Sequence, residues 1–152
     1  MEDDGNVLLR FANGARGILH SSQISVGEEN NLNIRIYGSE GGLSWRQQEP
    51  NTLEVYSPDG PAQIYRTGGN HGYLSEAAAG ATRLPAGHPE GYLEAFANIY
   101  TSVAAVLQAQ AAGVEPAESD LDFPTIADGV RGMAFIEKVV ESSNSGSKWL
   151  AL

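Results

Sequence analysis

The residues best suited to chemistry lie in a Gly-rich stretch, residues 66–89, and just after it. Four side chains there suit contacts with a small polar molecule: Tyr73, Arg83, His88 and Glu90. A guanidinium donates hydrogen bonds, a carboxylate accepts them, and a phenol or imidazole can do either. A loop this long is uncommon in a compact domain unless it has a function. We therefore predict that these four residues bind substrate.

Each candidate also has a structural interpretation. His88 can instead bond to the backbone of its own loop, and Glu90 can simply complement the positive end of a helix dipole. Two other histidines are weaker candidates. His71 has less support, and His20 falls in a predicted strand, where we expect it on a sheet face.

Several cofactor and metal motifs are absent. The 18 glycines include no pair two positions apart, so the Gly-x-Gly turn of dinucleotide-binding loops does not occur. There is no Gly-Lys pair for a phosphate loop, no cysteine, and no two histidines at helical spacing. We therefore expect this chain alone to bind no cofactor and no metal.

Composition narrows the class of protein. The 152 residues include 9 basic and 19 acidic side chains, a net charge of −10, and 41% are hydrophobic. This composition is typical of one globular domain spanning 1–152, and the negative charge argues against nucleic acid or an anionic membrane as a partner. No apolar run could span a bilayer, and the acidic start is unlike a signal peptide. A soluble, cytoplasmic domain is expected.

The first 65 residues predict strands and the rest predict helices. Alternating apolar residues and turn signals such as Asn13-Gly14 predict six short strands, near residues 7–11, 15–23, 32–37, 43–47, 52–57 and 62–65. Helices are predicted near residues 74–79, 90–112 and 125–142, with a linker at 119–124 and a last edge strand at 148–152.

Particular residues mark the helices. Gly113 is a stop signal for the long helix, and Thr125 with Asp128 fits a capping pattern for the next one. Tyr92 and Phe96 begin an apolar stripe that predicts a core-facing side.

The order of elements predicts an α+β fold. We expect a predominantly antiparallel sheet of about six or more strands, with helices packed on one face. Apolar residues are expected on the other face as well: Leu8, Ile18, Tyr37, Trp45 and Tyr56. That face is therefore available for subunit pairing, and a homo-oligomer is predicted.

One segment resembles a known family. Residues 85–100, PAGHPEGYLEAFANIY, resemble a stretch of the Gfo/Idh/MocA family of sugar and polyol dehydrogenases. Segments 9–17, 36–43 and 122–129 agree with the family in order and spacing.

The resemblance implies the family's C-terminal domain, which binds substrate and pairs its sheet with another subunit. Its N-terminal Rossmann domain, absent here, binds NAD or NADP and carries a catalytic Lys in a Glu-Lys-Pro motif. Glu137-Lys138-Val139 lacks the Pro and lies in a predicted helix. The resemblance therefore implies no catalytic residue in this chain and a fragment inactive alone.

Three functions remain open. The first is the substrate-binding and dimerisation domain of an NAD(P)-dependent sugar or polyol dehydrogenase. The second is a stand-alone, non-catalytic dimeric module that binds a small polar ligand. The third is a small acid–base enzyme that uses His88 and Glu90 without a cofactor. An in-frame Rossmann segment upstream would favour the first.

Overall fold

The computed structural model describes residues 3–68, 71–146 and 148–152. The elements, in chain order, are β1 (Asp4–Arg10), β2 (Arg16–Ser22), β3 (Asn33–Tyr37), β4 (Gly42–Arg46), β5 (Thr52–Tyr56), β6 (Gln63–Arg66), α1 (Glu76–Gly80), α2 (Tyr92–Ala112), a 3-10 helix (Glu118–Leu121) and α3 (Ile126–Ser145). The chain divides into two compact units, Met1–Glu29 with Pro124–Leu152, and Asn30–Phe123. The fold is α+β, and every strand pairing is antiparallel.

The first unit contains the β1–β2 hairpin and helix α3. The Gly14 N–H donates to the Phe11 carbonyl at 2.9 Å, which closes the predicted turn. Leu8 pairs with Ile18 in the ladder, and these two side chains are 63% and 78% exposed.

Helix α3 begins at the predicted cap. The Thr125 N–H and hydroxyl donate to the Asp128 carboxylate at 2.9 and 2.7 Å, and Thr125 Oγ1 accepts from the Asp128 N–H. These bonds satisfy donors that a helix start leaves unpaired.

The second unit contains the meander β3-β4-β5-β6. The ladder register puts Ile34, Ile36 and Trp45 on one face, because Ile34 pairs with Trp45 and Ile36 with Leu43. The other face is mostly polar and carries Arg35, Ser44, Arg46, Glu54 and Arg66, with the apolar Ile64 among them. Tyr37 and Tyr56 also lie on the polar face, so the prediction that Trp45 joins them was wrong.

Helix α2 has well-defined ends. The Glu94 carboxylate accepts from the Gly91 N–H at 2.9 Å, and the Ala95 N–H donates to the Gly91 carbonyl at 2.8 Å. The helix ends at Gly113, whose φ of +70° is in the left-handed region that favours glycine. The predicted stop is confirmed.

Three expectations differ from the described structure. The six strands form two antiparallel sheets, one of two strands and one of four, and among the described residues no strand of one sheet pairs with a strand of the other. Residues 148–152 form no strand; instead, the Arg10 guanidinium lies 3.7 Å from the centre of the Trp149 ring. The predicted linker at 119–124 contains most of the 3-10 helix.

The expected core stripe of α2 is exposed. Tyr92 and Phe96 contact each other edge to face at 5.1 Å, yet they are 71% and 49% exposed. Burying them needs a facing apolar surface, and within its unit α2 packs mainly against the 3-10 helix. No large apolar side chain in the described part of the chain is fully buried.

Candidate functional site

A cleft of about 620 Å³ opens within the second unit. It is lined by the β4–β5 turn with the start of β5 (residues 48–52), the end of β6 (66–67), His71, and the segment leading into α2 (86–94). We call it the sheet-end cleft. Its size is within the usual range for small-molecule sites.

Close backbone contacts hold the walls of this cleft together. Gly68 has φ +139°, and a Cβ there would lie 2.5 Å from the Ala86 Cα, so only glycine fits without strain. The Asn51 side-chain amide donates to the His88 carbonyl at 3.0 Å. Together these contacts join the loop before α2 to both β5 and β6.

His88 lines the sheet-end cleft. Its Nδ1 lies 3.2 Å from the Pro85 carbonyl oxygen, which can only accept, so Nδ1 carries the proton. In the neutral form of this tautomer, Nε2 is left as an acceptor. The backbone bond expected of a structural histidine is therefore present, and it also orients the ring.

Glu90 lines the same cleft, but its carboxylate is occupied. One oxygen accepts from the Arg83 N–H at 2.7 Å and the other from the Leu84 N–H at 3.1 Å. Glu90 therefore stabilises the loop before α2.

The start of helix α2 is capped by Glu94 rather than by Glu90. The hydrogen bond from the Gly91 N–H lowers the pKa of the Glu94 carboxyl below its ordinary value, since it favours the charged form.

Arg83 lies elsewhere. Its guanidinium donates to the Glu94 carbonyl at 3.0 Å and to Thr101 Oγ1 at 3.3 Å. It lines a second cleft of about 980 Å³, between α1, α2 and the 3-10 helix. Glu76, Glu118 and several other polar residues also line that cleft.

Tyr73 supports the sheet-end cleft indirectly. Its hydroxyl donates to the Arg66 carbonyl at 2.8 Å and accepts from the Arg66 N–H at 3.3 Å. Its ring stacks on His71 at 5.0 Å and meets Tyr65 edge to face at 5.3 Å. Tyr73 thus positions two lining residues, Arg66 and His71.

Sequence reasoning missed the contributions of the sheet to this cleft. Arg66 and Thr52 are cross-strand partners at the ends of β6 and β5, and both line the cleft. The available signal was the position of Arg66 at the end of a strand, directly before the Gly-rich segment. Thr52 Oγ1 is buried and has no hydrogen-bond partner among the described residues.

The remaining histidine, His20, belongs to strand β2. His20 lies on a sheet face as expected, with Nδ1 3.0 Å from Asn6 Oδ1 and Nε2 4.0 Å from Asp4 Oδ1.

Across residues 3–68, 71–146 and 148–152 no group of three potential ligands is placed to hold a metal ion. Nor is any helix there both long and apolar enough to cross a bilayer.

Comparison with known proteins identifies the family. The family described as "Oxidoreductase family, C-terminal alpha/beta domain" (GFO_IDH_MocA_C) matches residues 1–152. The uncharacterized oxidoreductase YfiI of Bacillus subtilis is 35% identical over 150 residues, covering 99% of this chain and 38% of that protein. This chain therefore belongs to the C-terminal domain family of the Gfo/Idh/MocA oxidoreductases, as the resemblance at residues 85–100 implied.

Solved structures agree. An oxidoreductase from Sinorhizobium meliloti is 40% identical with a TM-score of 0.88, over 98% of this chain and 41% of that one. An inositol dehydrogenase homolog from Azotobacter vinelandii, solved with NADH and myo-inositol, is 32% identical and has a TM-score of 0.85. The match covers 99% of this chain and 39% of that one. This chain thus spans about two fifths of the length of these relatives.

Proposed function

We propose that this chain is the substrate-binding part of an NAD- or NADP-dependent dehydrogenase that acts on a CH–OH group of a sugar or polyol. The observation that carries the proposal is the sheet-end cleft, which a monosaccharide or cyclitol would fit and which polar groups line. The likeness to an inositol dehydrogenase homolog supports this substrate class.

The cofactor would belong to an N-terminal Rossmann domain outside this chain. The residues present do not fit a dinucleotide, since the sheets are antiparallel and no Gly-x-Gly turn leads from a strand into a helix. The nicotinamide supplies hydride transfer, and this chain would bind and orient the hydroxyl-bearing carbon.

His88 would take the central part in binding. With Nδ1–H bonded to Pro85, its Nε2 can accept a hydrogen bond from a substrate hydroxyl. Tyr73, Arg83 and Glu90 would act mainly through other residues, because their polar atoms already bond to the protein.

Substituting His88 tests this role in the intact dehydrogenase. His88→Ala should lower kcat/KM tenfold or more, equal to about 1.4 kcal/mol of lost transition-state binding. Cofactor affinity and thermal stability should change little. His20→Ala, which removes an imidazole from the first unit, is the matched control. Unchanged turnover in His88→Ala would contradict the proposal.

The assembly is also part of the proposal. The exposed apolar residues would be covered by a second copy through a sheet face and by the N-terminal domain. We place the protein in the cytoplasm, with no nucleic acid or membrane partner. The fragment alone would be inactive.

A stand-alone, non-catalytic module that binds a small polar ligand is the second candidate. Among the described residues, the lining of the sheet-end cleft contains no lysine, which agrees with this candidate and equally with a catalytic lysine on an N-terminal domain. Acid–base catalysis by His88 with Glu90 is disfavoured, because two backbone N–H groups occupy the Glu90 carboxylate. Turnover with NAD or NADP in the intact protein separates the two candidates.

A further inference from the structure

Arg66 lies in the lining of the sheet-end cleft, and its charge has no partner among the described residues. It is the last residue of β6 and is exposed. Within the described residues its guanidinium has no ion pair or hydrogen bond, and only its backbone is engaged, by Tyr73. A guanidinium offers five N–H donors in a planar fork that matches a carboxylate or phosphate.

The acids of the same lining are mostly satisfied. Glu90 accepts two backbone N–H bonds, and Glu94 accepts one from Gly91. Glu49 is the remaining acid in the lining. The lining also offers neutral polar groups, among them Thr52 Oγ1 and the side chains of Gln48, Thr67 and Tyr92, and the two imidazoles. Of the described residues that form this lining, Arg66 is the one arginine.

We propose that the substrate of this cleft carries an anionic group that pairs with Arg66, as in a sugar acid or a sugar phosphate. The inference rests on the proposed function and narrows its substrate class from neutral polyols to anionic ones. Arg66 would bind the charged group, and His88 Nε2 would accept a bond from a hydroxyl.

The overall charge of −10 does not prevent this binding. Charges farther than about 8 Å away are largely screened at physiological ionic strength, whereas a guanidinium in direct contact is not. The Arg66 guanidinium is therefore the group that would favour an anionic ligand, acting against the carboxylates of Glu49, Glu90 and Glu94 in the same lining.

Calorimetric titration of this chain measures that preference. The probes are glucuronate, glucose 6-phosphate, glucose and myo-inositol. We expect at least one of the two anionic sugars to bind at least tenfold more tightly than glucose. The tighter binder of the two shows whether the site prefers a carboxylate or a phosphate. Arg66→Gln should remove the preference, so that the anionic sugars bind no more than about twofold more tightly than glucose.

Arg35→Gln is the matched control, because Arg35 lies on the same face of the same sheet but outside the lining. It should retain the preference, and Arg66→Lys should restore part of it. Circular dichroism checks that each variant is folded. Equal binding of anionic and neutral sugars, or a preference that survives Arg66→Gln, would overturn the inference and leave the proposed function intact. If none of the four probes binds, the result contradicts both the anionic-substrate inference and the proposed function.

Discussion

At the residue scale, two side chains with similar sequence signals have different roles. Glu90 and His88 stand two positions apart in a segment that resembles the family. The carboxylate is occupied by loop N–H groups, whereas the imidazole keeps one nitrogen for a ligand. Hydrogen-bond partners, rather than residue type, separate the structural residue from the binding residue.

The role of Glu90 predicts an effect on stability. Glu90→Gln keeps the side-chain shape but replaces one accepting oxygen by a donor, which then faces a backbone N–H. We expect the free energy of unfolding to fall by about 1 kcal/mol or more in urea. Glu49→Gln, in the same cleft lining, should leave it nearly unchanged. Equal midpoints of urea unfolding for the two variants would show that the bonds from the Arg83 and Leu84 N–H groups to Glu90 add nothing to stability.

Gly68 predicts a second effect at this scale. In Gly68→Ala the new methyl would meet Ala86 at a positive φ, so the wall formed by residues 86–88 must move. We expect a loss of about 1–3 kcal/mol in thermal unfolding and weaker sugar binding. Gly72→Ala has open space around its methyl and should behave as wild type. Wild-type stability in Gly68→Ala would contradict the close approach.

At the element scale, local signals were predictable and the pairing of distant segments was not. The Asn13-Gly14 turn, the Gly113 stop and the Thr125–Asp128 cap follow from short-range backbone chemistry. Which candidates share a cleft depends on the register that pairs Thr52 with Arg66 and on the Asn51 bond to His88. Those contacts join segments far apart in the chain, so spacing alone does not reveal them.

The cap of α3 predicts a mutational effect. Thr125→Ala removes the hydroxyl that bonds Asp128, and caps of this kind are worth about 1 kcal/mol. We expect a lower helix signal and faster amide exchange in the first turn of α3. Ser143→Ala removes a hydroxyl near the other end of α3 and serves as the control. Unchanged exchange in Thr125→Ala would show that the cap is dispensable.

The same cap predicts a pH dependence. The hydrogen bonds from the Thr125 hydroxyl and then its N–H lower the pKa of Asp128 below its ordinary value near 3.8. Because the pKa of Asp128 is lower in the folded chain than in the unfolded chain, its charged form stabilises the fold at any pH above the unfolded-state pKa. That stabilisation is lost as the pH falls through the folded-state pKa. First-turn exchange in α3 should be protected equally at pH 7 and 5 and less below about pH 4. Asp128→Asn should flatten that response; a response unchanged in this variant would contradict it.

At the scale of the whole molecule, the described residues leave large apolar side chains in contact with water. Leu8, Ile18, Tyr92 and Ile126 are all more than 60% exposed. Exposed apolar patches of this kind usually mark an interface. They agree with a chain that spans about two fifths of its relatives and with the proposed second copy.

Self-association follows as a prediction. Sedimentation at micromolar concentration should show a dimer or larger species. Ile18→Lys should weaken it by charging the exposed sheet face, whereas Val26→Lys, in a loop, should not. A strict monomer at hundreds of micromolar would leave the N-terminal domain as the sole cover for these residues.

Substrate bound in the sheet-end cleft would change the environment of a defined set of backbone amides, and ¹H–¹⁵N chemical-shift mapping detects those changes. The labelled chain is titrated with myo-inositol, glucose and glucuronate. We expect the largest shifts on the amides of residues 48–52, 66–67 and 86–94, apart from the prolines, and we expect His88→Ala to reduce them. Shifts confined to the first unit, or to the lining of the second cleft near Arg83, would contradict it.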